Sequence, residues 1–402
     1  MDQIIVIGAG QAGASCVARL RADGFEGRLT LIGAEPVPPY QRPPLSKAYL
    51  LGEMALDRLF LRPEAWYAEH DVTLRLGQPV TDVDAAAQTV TVGGEVLPYD
   101  ALVLATGSTP RHLPATIGGE LAGVHFVRTL ADVDAMEPEV VADRRALIVG
   151  GGYIGLEAAA VAAKRGMDVT LIEAAPRILG RVAAPETSAY FRDLHRAHGV
   201  RILEGVGLTC LNGVDGRVVG AILTNHQEHP YDVVIAGIGI TPNDALAGAA
   251  GIVLDNGIAT DAQGRTSDPH IWAAGDCASL PFRGSRIRLE SVQNAIDQAE
   301  AVARNILGAN ADYLPRPWFW SDQYDVKLQI AGLNTGYDRV AVRDGGAARS
   351  HWYYAGDSLL AVDAMNDPRG YMIGKRLIEA GKSPAPEIVA DPAADLKALL
   401  KA

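Results

Sequence analysis

Short apolar runs that end in glycine-rich turns alternate with amphipathic stretches along this chain. Residues 3–7 (QIIVI) form a β-branched run typical of a fully buried strand. Three glycines follow it in the spacing G-x-G-x-x-G: Gly8, Gly10 and Gly13. Residues 11–24 have the period of a helix that ends at a glycine, and the run 28–35 predicts a second strand ending at Glu35.

The same order of elements occurs a second time. The run RALIVGG predicts a strand, and its glycine turn has the same spacing: Gly150, Gly152 and Gly155. Residues 156–166 predict a helix ending near Gly166, and residues 168–173 predict a strand that ends at Glu173. Each copy therefore combines strand, glycine turn, helix and strand with an acid about 20 residues after the glycines, which is the dinucleotide-binding fingerprint.

The residue types of this fingerprint suit a nucleotide. The glycines let the backbone approach a pyrophosphate, and the helix N-terminus supplies amide donors and a partial positive charge. The acid can accept hydrogen bonds from the ribose hydroxyls. Two complete copies in one chain predict two dinucleotide sites, and a tightly held FAD with an exchangeable nicotinamide nucleotide is the economical interpretation. The order of the copies alone does not say which turn holds which nucleotide.

Three further strand ends add to this picture. Residues 100–108 predict a buried strand that runs into Ala105, Thr106 and Gly107. Residues 270–279 predict a strand followed by Asp276, whose carboxylate can bind the ribityl hydroxyls of a flavin. A third strand ends in two further glycines, Gly237 and Gly239. Any one of these could be an ordinary strand-to-loop junction, and their weight comes from occurring together with two fingerprints.

Composition narrows the class of protein. The 402 residues are 48% hydrophobic and 21% charged with a formal net charge of −12, which disfavours nucleic acid or an anionic membrane as partner. No apolar run approaches the roughly 18 residues that span a bilayer, and no signal peptide is visible. The three cysteines, Cys16, Cys210 and Cys277, are far apart in the sequence and lack metal-ligand spacing. This pattern predicts a reducing, cytoplasmic location, with no disulfide framework and no metal site.

The order of motifs resembles a known family. GAGQAG, RPPLSK, ATGS, GGGYIG, GIGITPN, AAGD and WFWSD follow one another over essentially the whole chain. This order is similar to that of the NADH-dependent ferredoxin reductases of oxygenase systems, of the putidaredoxin reductase and biphenyl dioxygenase reductase type, within the glutathione-reductase-like flavoproteins. RPPLSK at 42–47 and WFWSDQ at 318–323 are the most specific parts.

The resemblance implies an α/β architecture with two Rossmann-like dinucleotide-binding domains, one for FAD and one for NAD, and a small α+β C-terminal domain. The FAD domain would comprise residues 1–111 and 243–318, with the NADH domain inserted as 112–242. The C-terminal interface domain would follow as 319–402. A stretch rich in Pro and Gly at 107–120 and a proline-containing stretch at 310–320, where the helical pattern gives way to aromatic residues, support these boundaries.

The resemblance also implies roles for single residues. Lys47 would lie near the flavin ring, paired with Glu157, and Trp320 would lie beside the ring where electrons leave; these three are the predicted catalytic residues. Ser291 is a predicted N-cap of a helix over 288–307, which would point at the flavin. The other predicted cofactor-binding residues are Gly8, Gly10, Gly13, Glu35, Arg42, Ala105, Thr106, Gly107, Arg111, Gly150, Gly152, Ile154, Gly155, Glu173, Arg181, Gly237, Gly239, Asp276 and Val292.

Several of these residues have simpler interpretations. Arg42 could be a surface arginine in a turn, Glu157 a solvated acid in the first turn of a helix, and Trp320 a core aromatic. Relatives that reduce disulfides or peroxides need a thiolate beside the flavin, and residues 36–66, which supply it there, contain no cysteine here. This absence argues against a thiol-dependent reductase, peroxidase or oxidase.

The predicted function is NADH:ferredoxin oxidoreduction through FAD. The acceptor would be an acidic two-iron two-sulfur ferredoxin that docks transiently and serves a haem-thiolate monooxygenase or a Rieske dioxygenase. The alternatives are a rubredoxin reductase or other NADH:acceptor flavoenzyme, and a redox-responsive interaction protein like apoptosis-inducing factor. The predicted assembly is a monomer or weak dimer. A basic docking patch is predicted at four residues: Arg286, Arg288, Lys375 and Arg376.

Overall fold

The computed structural model describes residues 1–401, and the two glycine turns lie in two different units of it. The first unit comprises residues 1–41, 55–109 and 240–317. The second comprises residues 42–54, 110–239 and the chain from 318 onward. Most of the predicted NADH domain and the predicted C-terminal domain thus share one unit, together with a segment of the predicted FAD domain. The three-domain boundaries drawn from the sequence stay a prediction.

A parallel sheet forms the centre of the first unit. Its strands, in the spatial order β19-β7-β1-β2-β3, are β1 (Gln3–Ile7), β2 (Arg28–Ile32), β3 (Val72–Arg75), β7 (Ala101–Leu104) and β19 (Ile271–Ala273). Helices α1 (Gln11–Ala22) and α7 (Val292–Ile306) share one core with Leu29 and Leu31 of β2. A second core fills the opposite face. Burial on both faces explains why β1 and β7 are continuous apolar runs instead of alternating ones.

Shorter elements complete the first unit. One antiparallel sheet contains β4 (Val80–Asp84), β5 (Thr89–Val92) and β6 (Glu95–Pro98). A second small sheet contains β18 (Ile258–Ala259), β20 (Ala278–Phe282) and β21 (Ser285–Ile287). The other elements are β8 (Ser108–Pro110), of which all but the last residue lies in this unit, β17 (Ile240–Pro242), α2 (Glu64–Glu69) and α6 (Ala245–Ala249).

The second unit contains the other parallel sheet. Its strands, in the order β12-β11-β10-β16-β9, are β9 (Val124–His125), β10 (Arg145–Val149), β11 (Asp168–Glu173), β12 (Arg201–Glu204) and β16 (Val233–Ala236). Its helices are α3 (Leu130–Met136), α4 (Tyr153–Lys164) and α5 (Pro185–Ala197). A three-stranded antiparallel sheet is added by β13 (Leu208–Val214), β14 (Arg217–Leu223) and β15 (Glu228–Pro230).

The C-terminal part of the second unit is a five-stranded antiparallel sheet with two helices. In the order β22-β23-β26-β25-β24, its strands are β22 (Trp318–Gln323), β23 (Val326–Gly332), β24 (Arg339–Asp344), β25 (Arg349–Ala355) and β26 (Ser358–Met365); the helices are α8 (Pro368–Glu379) and α9 (Pro386–Ala390). Trp352, Val362 and Leu377 pack in its core. The predicted fold class, two Rossmann-like domains and an α+β C-terminal domain, is confirmed.

Two predicted boundaries differ from the structure. Strand β2 ends at Ile32, so Glu35 lies three residues beyond it in a loop. Helix α7 begins at Val292 and not at residue 288, because residues 285–287 pair as β21 and Ser291 is the N-cap. Within residues 1–401, no helix has both the length and the apolar content needed to cross a bilayer.

Candidate dinucleotide and electron-transfer site

The three glycines of the first turn differ in what a side chain at each position would meet. Gly8 has a φ of +114°, and a Cβ there would lie 2.1 Å from the carbonyl oxygen of Ala105. A Cβ on Gly13 would lie 1.9 Å from the carbonyl oxygen of Gly8, so packing of helix against strand requires this glycine. A Cβ on Gly10 would meet nothing within 4 Å, and no side chain caps α1 at this residue. The turn therefore leaves an open cradle at an uncapped helix N-terminus, which fits a pyrophosphate.

The second turn repeats this arrangement residue for residue. Gly150 has a φ of +106°, and its Cβ would lie 2.4 Å from the carbonyl oxygen of Gly237. A Cβ on Gly155 would lie 2.0 Å from the carbonyl oxygen of Gly150. Gly152 has open space around its Cβ position and is the uncapped N-cap of α4. Both turns thus pass the same geometric test for a bound dinucleotide.

Both acids of the fingerprint are already hydrogen-bonded. The hydroxyl of Tyr40 donates to Oε2 of Glu35 at 2.5 Å. Oε2 and Oε1 of Glu173 accept from the backbone amides of Gly151 and Ala175, each at 2.7 Å. A carboxylate has about four acceptor positions, so the two amide bonds of Glu173 leave capacity for ribose hydroxyls.

The arginines near Glu173 are not equivalent. Arg177 donates to Oγ of Ser188 at 2.5 Å and to the carbonyl of Gly180 at 3.3 Å, so its guanidinium belongs to the local structure. Arg181 is exposed. Arg181 is therefore the arginine whose charge faces solvent on this loop.

In the first unit, the residues after β7 and β19 are held by two polar residues that sequence reasoning did not select. Nδ2 of Asn243 donates to the carbonyl of Thr106 at 2.9 Å, and Oγ1 of Thr106 donates to the carbonyl of Asn243 at 2.5 Å. The hydroxyl of Ser108 donates to Oδ2 of Asp276 at 2.9 Å. Asn243 and Ser108 are the last residues of the GIGITPN and ATGS motifs, and a polar residue shortly after a strand end was the available signal.

The other predicted residues of the first unit lie at the turns expected of them. Ala105 is buried against Gly8, and Gly107 has a φ of +72°. Ser291 is confirmed as the N-cap of α7: its hydroxyl accepts from the amide of Asn294 at 3.1 Å, and Val292 is the first helical residue.

In the second unit, Lys47 and Glu157 form the ion pair that the resemblance implies. Nζ of Lys47 lies 3.0 Å from Oε1 of Glu157. Glu157 is buried, and its carboxylate also accepts from the hydroxyls of Ser46 at 3.2 Å and Ser321 at 2.7 Å. Burial raises the pKa of Glu157, while the charge of Lys47 and these hydrogen bonds oppose the rise. Glu157 is thus a buried, fully partnered acid and not a solvated one.

The remaining predicted residues of this unit are more exposed. Arg42 is half-buried and its Nη1 donates to the carbonyl of Arg128 at 2.6 Å. Arg111 is exposed, and its amide donates to the carbonyl of Gly239 at 2.9 Å. Ile154, on the first turn of α4, is 46% exposed, an apolar side chain beside the open Gly152. Trp320 is half-buried on β22, with its ring 5.6 Å from that of Trp318.

The prediction that Arg288 belongs to the docking patch is wrong. The side chain of Arg288 is only 9% exposed; it pairs with Glu290 at 2.7 Å and donates to the carbonyl of Asp276 at 3.1 Å. It therefore supports the Asp276 loop instead of presenting a charge to a partner. Nη2 of Arg286 donates to two backbone carbonyls, and Lys375 lies 5.2 Å over the ring of Trp318. Docking at Arg286, Lys375 and Arg376 stays a prediction.

Cys16 and Cys277 lack the features of redox-active thiols. Cys16 and Cys277 are buried, and Cys210 is partly exposed on β13. Burial raises the pKa of Cys16 to about 12 and also raises that of Cys277, so neither forms a thiolate readily near neutral pH.

Comparison with known proteins agrees with this geometry. Residues 2–299 match the pyridine nucleotide-disulphide oxidoreductase family, and residues 318–400 match the reductase C-terminal family. The chain is 45% identical over 384 residues to a ferredoxin–NAD(P)+ reductase of a Sphingomonas species, covering 94% of this chain and 92% of that protein. It is 41% identical to putidaredoxin reductase of Pseudomonas putida, covering 100% and 97% of the two chains.

A solved structure gives the same result for the fold. The crystal structure of the covalent putidaredoxin reductase–putidaredoxin complex matches this chain with a TM-score of 0.96 and 40% identity, covering 100% of this chain and 98% of that one. The chain therefore belongs to the pyridine nucleotide-disulphide oxidoreductase family, whose members depend on FAD and NAD(H). Within this family it belongs with the ferredoxin reductases.

Proposed function

We propose that this protein is an FAD-containing NADH:ferredoxin oxidoreductase. It takes electrons from NADH and passes them to a two-iron two-sulfur ferredoxin that serves a haem-thiolate monooxygenase or a Rieske dioxygenase. The observation that carries this proposal is the pair of matching glycine cradles: Gly10 and Gly152 both face open space at an uncapped helix N-terminus. One chain with two such cradles suits a resident and an exchangeable dinucleotide.

We assign FAD to the first cradle and NADH to the second. Asp276, oriented by Ser108, supports the first assignment because a carboxylate after a strand end suits ribityl hydroxyls. Glu173 supports the second because it can accept from a ribose 2′-hydroxyl and repels a 2′-phosphate. Bound FAD supplies the redox chemistry, accepting two electrons as a hydride and releasing them singly.

The proposed role of Lys47 is electrostatic. Its ammonium group, held at 3.0 Å by Glu157, would stabilise negative charge that develops on the flavin ring. The buried carboxylate restricts the direction of the lysine side chain. The N-terminus of α7, capped by Ser291, would also supply a partial positive charge to the flavin. Trp320 would line the exit of electrons toward the partner.

Assays with three acceptors test the proposal. Purified holoenzyme with NADH should reduce a two-iron two-sulfur ferredoxin of the putidaredoxin type faster than rubredoxin, and ferricyanide should also be reduced. Faster reduction of rubredoxin would support the alternative of a rubredoxin reductase. A long-lived reduced enzyme that dimerises and ignores both iron proteins would support a redox-responsive interaction protein. Absence of flavin reduction by NADH would contradict the proposal altogether.

Location and assembly are also part of the proposal. The isolated cysteines favour a reducing, cytoplasmic location. We propose a monomer or weak dimer, and light scattering of the oxidised and the NADH-reduced holoenzyme would measure it.

A further inference from the structure

A line of buried hydrogen bonds leads away from the carboxylate of Glu157 through β22 to α5. Oγ of Ser321 lies 2.7 Å from Oε1 of Glu157, and Nε2 of Gln323 lies 3.1 Å from Oγ of Ser321. Nε2 of His195 lies 2.8 Å from Oε1 of Gln323. Ser321, Gln323 and His195 are all completely buried. Ser321 and Gln323 are two residues apart on β22, so both side chains point to the same face of the strand.

The direction of every bond in this line follows from the first one. An ionised carboxylate only accepts, so the hydroxyl of Ser321 donates its one proton to Glu157. The oxygen of Ser321 is then left as an acceptor for the amide nitrogen of Gln323. This orientation turns the amide oxygen of Gln323 toward His195, whose Nε2 must carry a proton to donate to it.

The outer end of the line agrees with this tautomer. In a neutral imidazole protonated on Nε2, the atom Nδ1 is an acceptor. The hydroxyl of Tyr324 lies 3.2 Å from Nδ1 of His195, and a phenolic hydroxyl can donate to this acceptor. Burial lowers the pKa of His195 to about 4, which keeps the ring neutral near pH 7. One directed line thus runs from Tyr324 through His195, Gln323 and Ser321 to Glu157.

We propose that Gln323 and His195 are positioning residues that orient Ser321 toward Glu157 and so fix the direction of the Lys47 ammonium group. The proposal rests on the proposed function, because it concerns the action of Lys47 at the flavin. It adds two residues to the site, one on a strand and one on a helix, that do not touch the ion pair themselves. A hydrogen-bonded line of this kind is worth more than its separate members only when every member is satisfied.

If the Lys47 ammonium group loses its fixed direction, the rate of flavin reduction should fall more than the affinity for the nucleotide. Without the amide of Gln323, the hydroxyl of Ser321 can turn toward other acceptors, and Glu157 then loses a donor and holds Lys47 less firmly. Substitution of Gln323 by leucine, Ser321 by alanine or His195 by leucine should each lower the limiting rate of flavin reduction by about five- to tenfold. The Kd for NADH, measured in the same stopped-flow experiment, should change by less than about twofold, because the second glycine cradle lies outside this line.

Two controls separate positioning from packing. Ser350→Ala removes a hydroxyl that is equally buried and on the same sheet, where it bonds with Asp367 and Trp352. This variant should keep the wild-type limiting rate even where its thermal stability falls as much as that of Ser321→Ala. His195→Gln restores an amide donor to Gln323 and should recover most of the rate that His195→Leu loses.

A second measurement tests the line without catalysis. Nitrogen-15 NMR of histidine-labelled oxidised holoenzyme, with His195→Gln to assign the signal, should show His195 neutral and protonated on Nε2 between about pH 6 and 8. A charged ring or an Nδ1-protonated ring would overturn the proposal, and so would an unchanged limiting rate in both Gln323→Leu and His195→Leu at full FAD content. If wild-type enzyme is reduced by NADH but does not pass electrons to ferredoxin, the proposed function fails while both tests of the line remain decisive.

Discussion

Nζ of Lys47 lies 3.0 Å from Oε1 of Glu157, four residues after α4 begins at Tyr153. Lys47 belongs to a proline-flanked segment far from α4 in the chain, so the pair joins the RPPLSK motif to the helix of the second glycine turn. The carboxylate is buried and has two serine donors in addition to the lysine. Removal of one partner from a buried pair of this kind strongly destabilises the folded protein, because the other charge is left uncompensated.

The middle glycine of each turn should be replaceable without loss of the fold. Gly10→Ala and Gly152→Ala place a methyl group in open space, so both proteins should fold. Each substitution should weaken binding of the nucleotide at its own turn about tenfold or more. We expect lower FAD retention in Gly10→Ala, and a higher Kd for NADH with normal FAD content in Gly152→Ala. Absorbance of bound flavin and stopped-flow titration measure the two effects. The opposite pattern would exchange the two cofactor assignments.

NADH should be preferred to NADPH by about ten- to a hundredfold in kcat/KM, since the carboxylate of Glu173 repels a 2′-phosphate. The structure leaves Arg181 as the exposed positive charge of this loop, while Arg177 is bound to Ser188. Glu173→Gln should therefore reduce the preference, and Arg181→Gln should increase it. Steady-state kinetics with both nucleotides check this. Equal kcat/KM values in the wild-type enzyme would show that the acid does not select the cofactor.

Arg288→Ala should impair the flavin site and not partner docking. Its guanidinium donates to the carbonyl of Asp276, so its loss should loosen the Asp276 loop and lower FAD retention. Reduction of ferredoxin and of ferricyanide should then fall together, because ferricyanide needs no docking surface. Arg283→Ala is the matched control, since Arg283 is exposed on the neighbouring turn and its removal changes the net charge equally. A defect with ferredoxin alone in Arg288→Ala would restore it as a docking residue.

Acid should destabilise the second unit through His351. Burial lowers the pKa of His351 from 6.5 to about 4, so between these values the unfolded chain binds a proton that the folded chain does not. Its stability contribution is complete above pH 6.5 and decreases as the pH falls. Between pH 7.5 and 5.0, the wild-type protein should lose about 2 kcal/mol more of its free energy of unfolding than His351→Gln.

Urea unfolding of holoenzyme at the two pH values measures this difference. The buried Asp363, whose pKa is raised to about 6, acts in the opposite direction, because it gains a proton in the folded state as the pH falls. Asp363 is present in both proteins, so the part of its effect that does not depend on His351 through their shared partner Thr187 cancels in the comparison. Equal losses in the two proteins would mean that His351 does not titrate as its burial implies.

The sequence by itself determined the local units of the fold. Continuous apolar runs identify strands buried on both faces. Glycine spacing identifies turns in which the fold requires one glycine for its positive φ and one for helix packing, while the middle glycine leaves open space for a ligand. These are local requirements, so they are written in neighbouring residues. The N-cap at Ser291 is legible for the same reason.

Only the tertiary structure decided which distant side chains meet. Arg288 is one of two arginines in the segment RIRLE, so its sequence suggests a surface charge, yet its side chain is only 9% exposed and bonds to the carbonyl of Asp276. Ser321, Gln323 and His195 carry no spacing that relates them to Glu157, because the bonds between them depend on how α5 packs on β22. Hydrogen bonds act over about 3 Å in space and are indifferent to separation along the chain, so a polar network of this kind becomes visible only after the chain has folded.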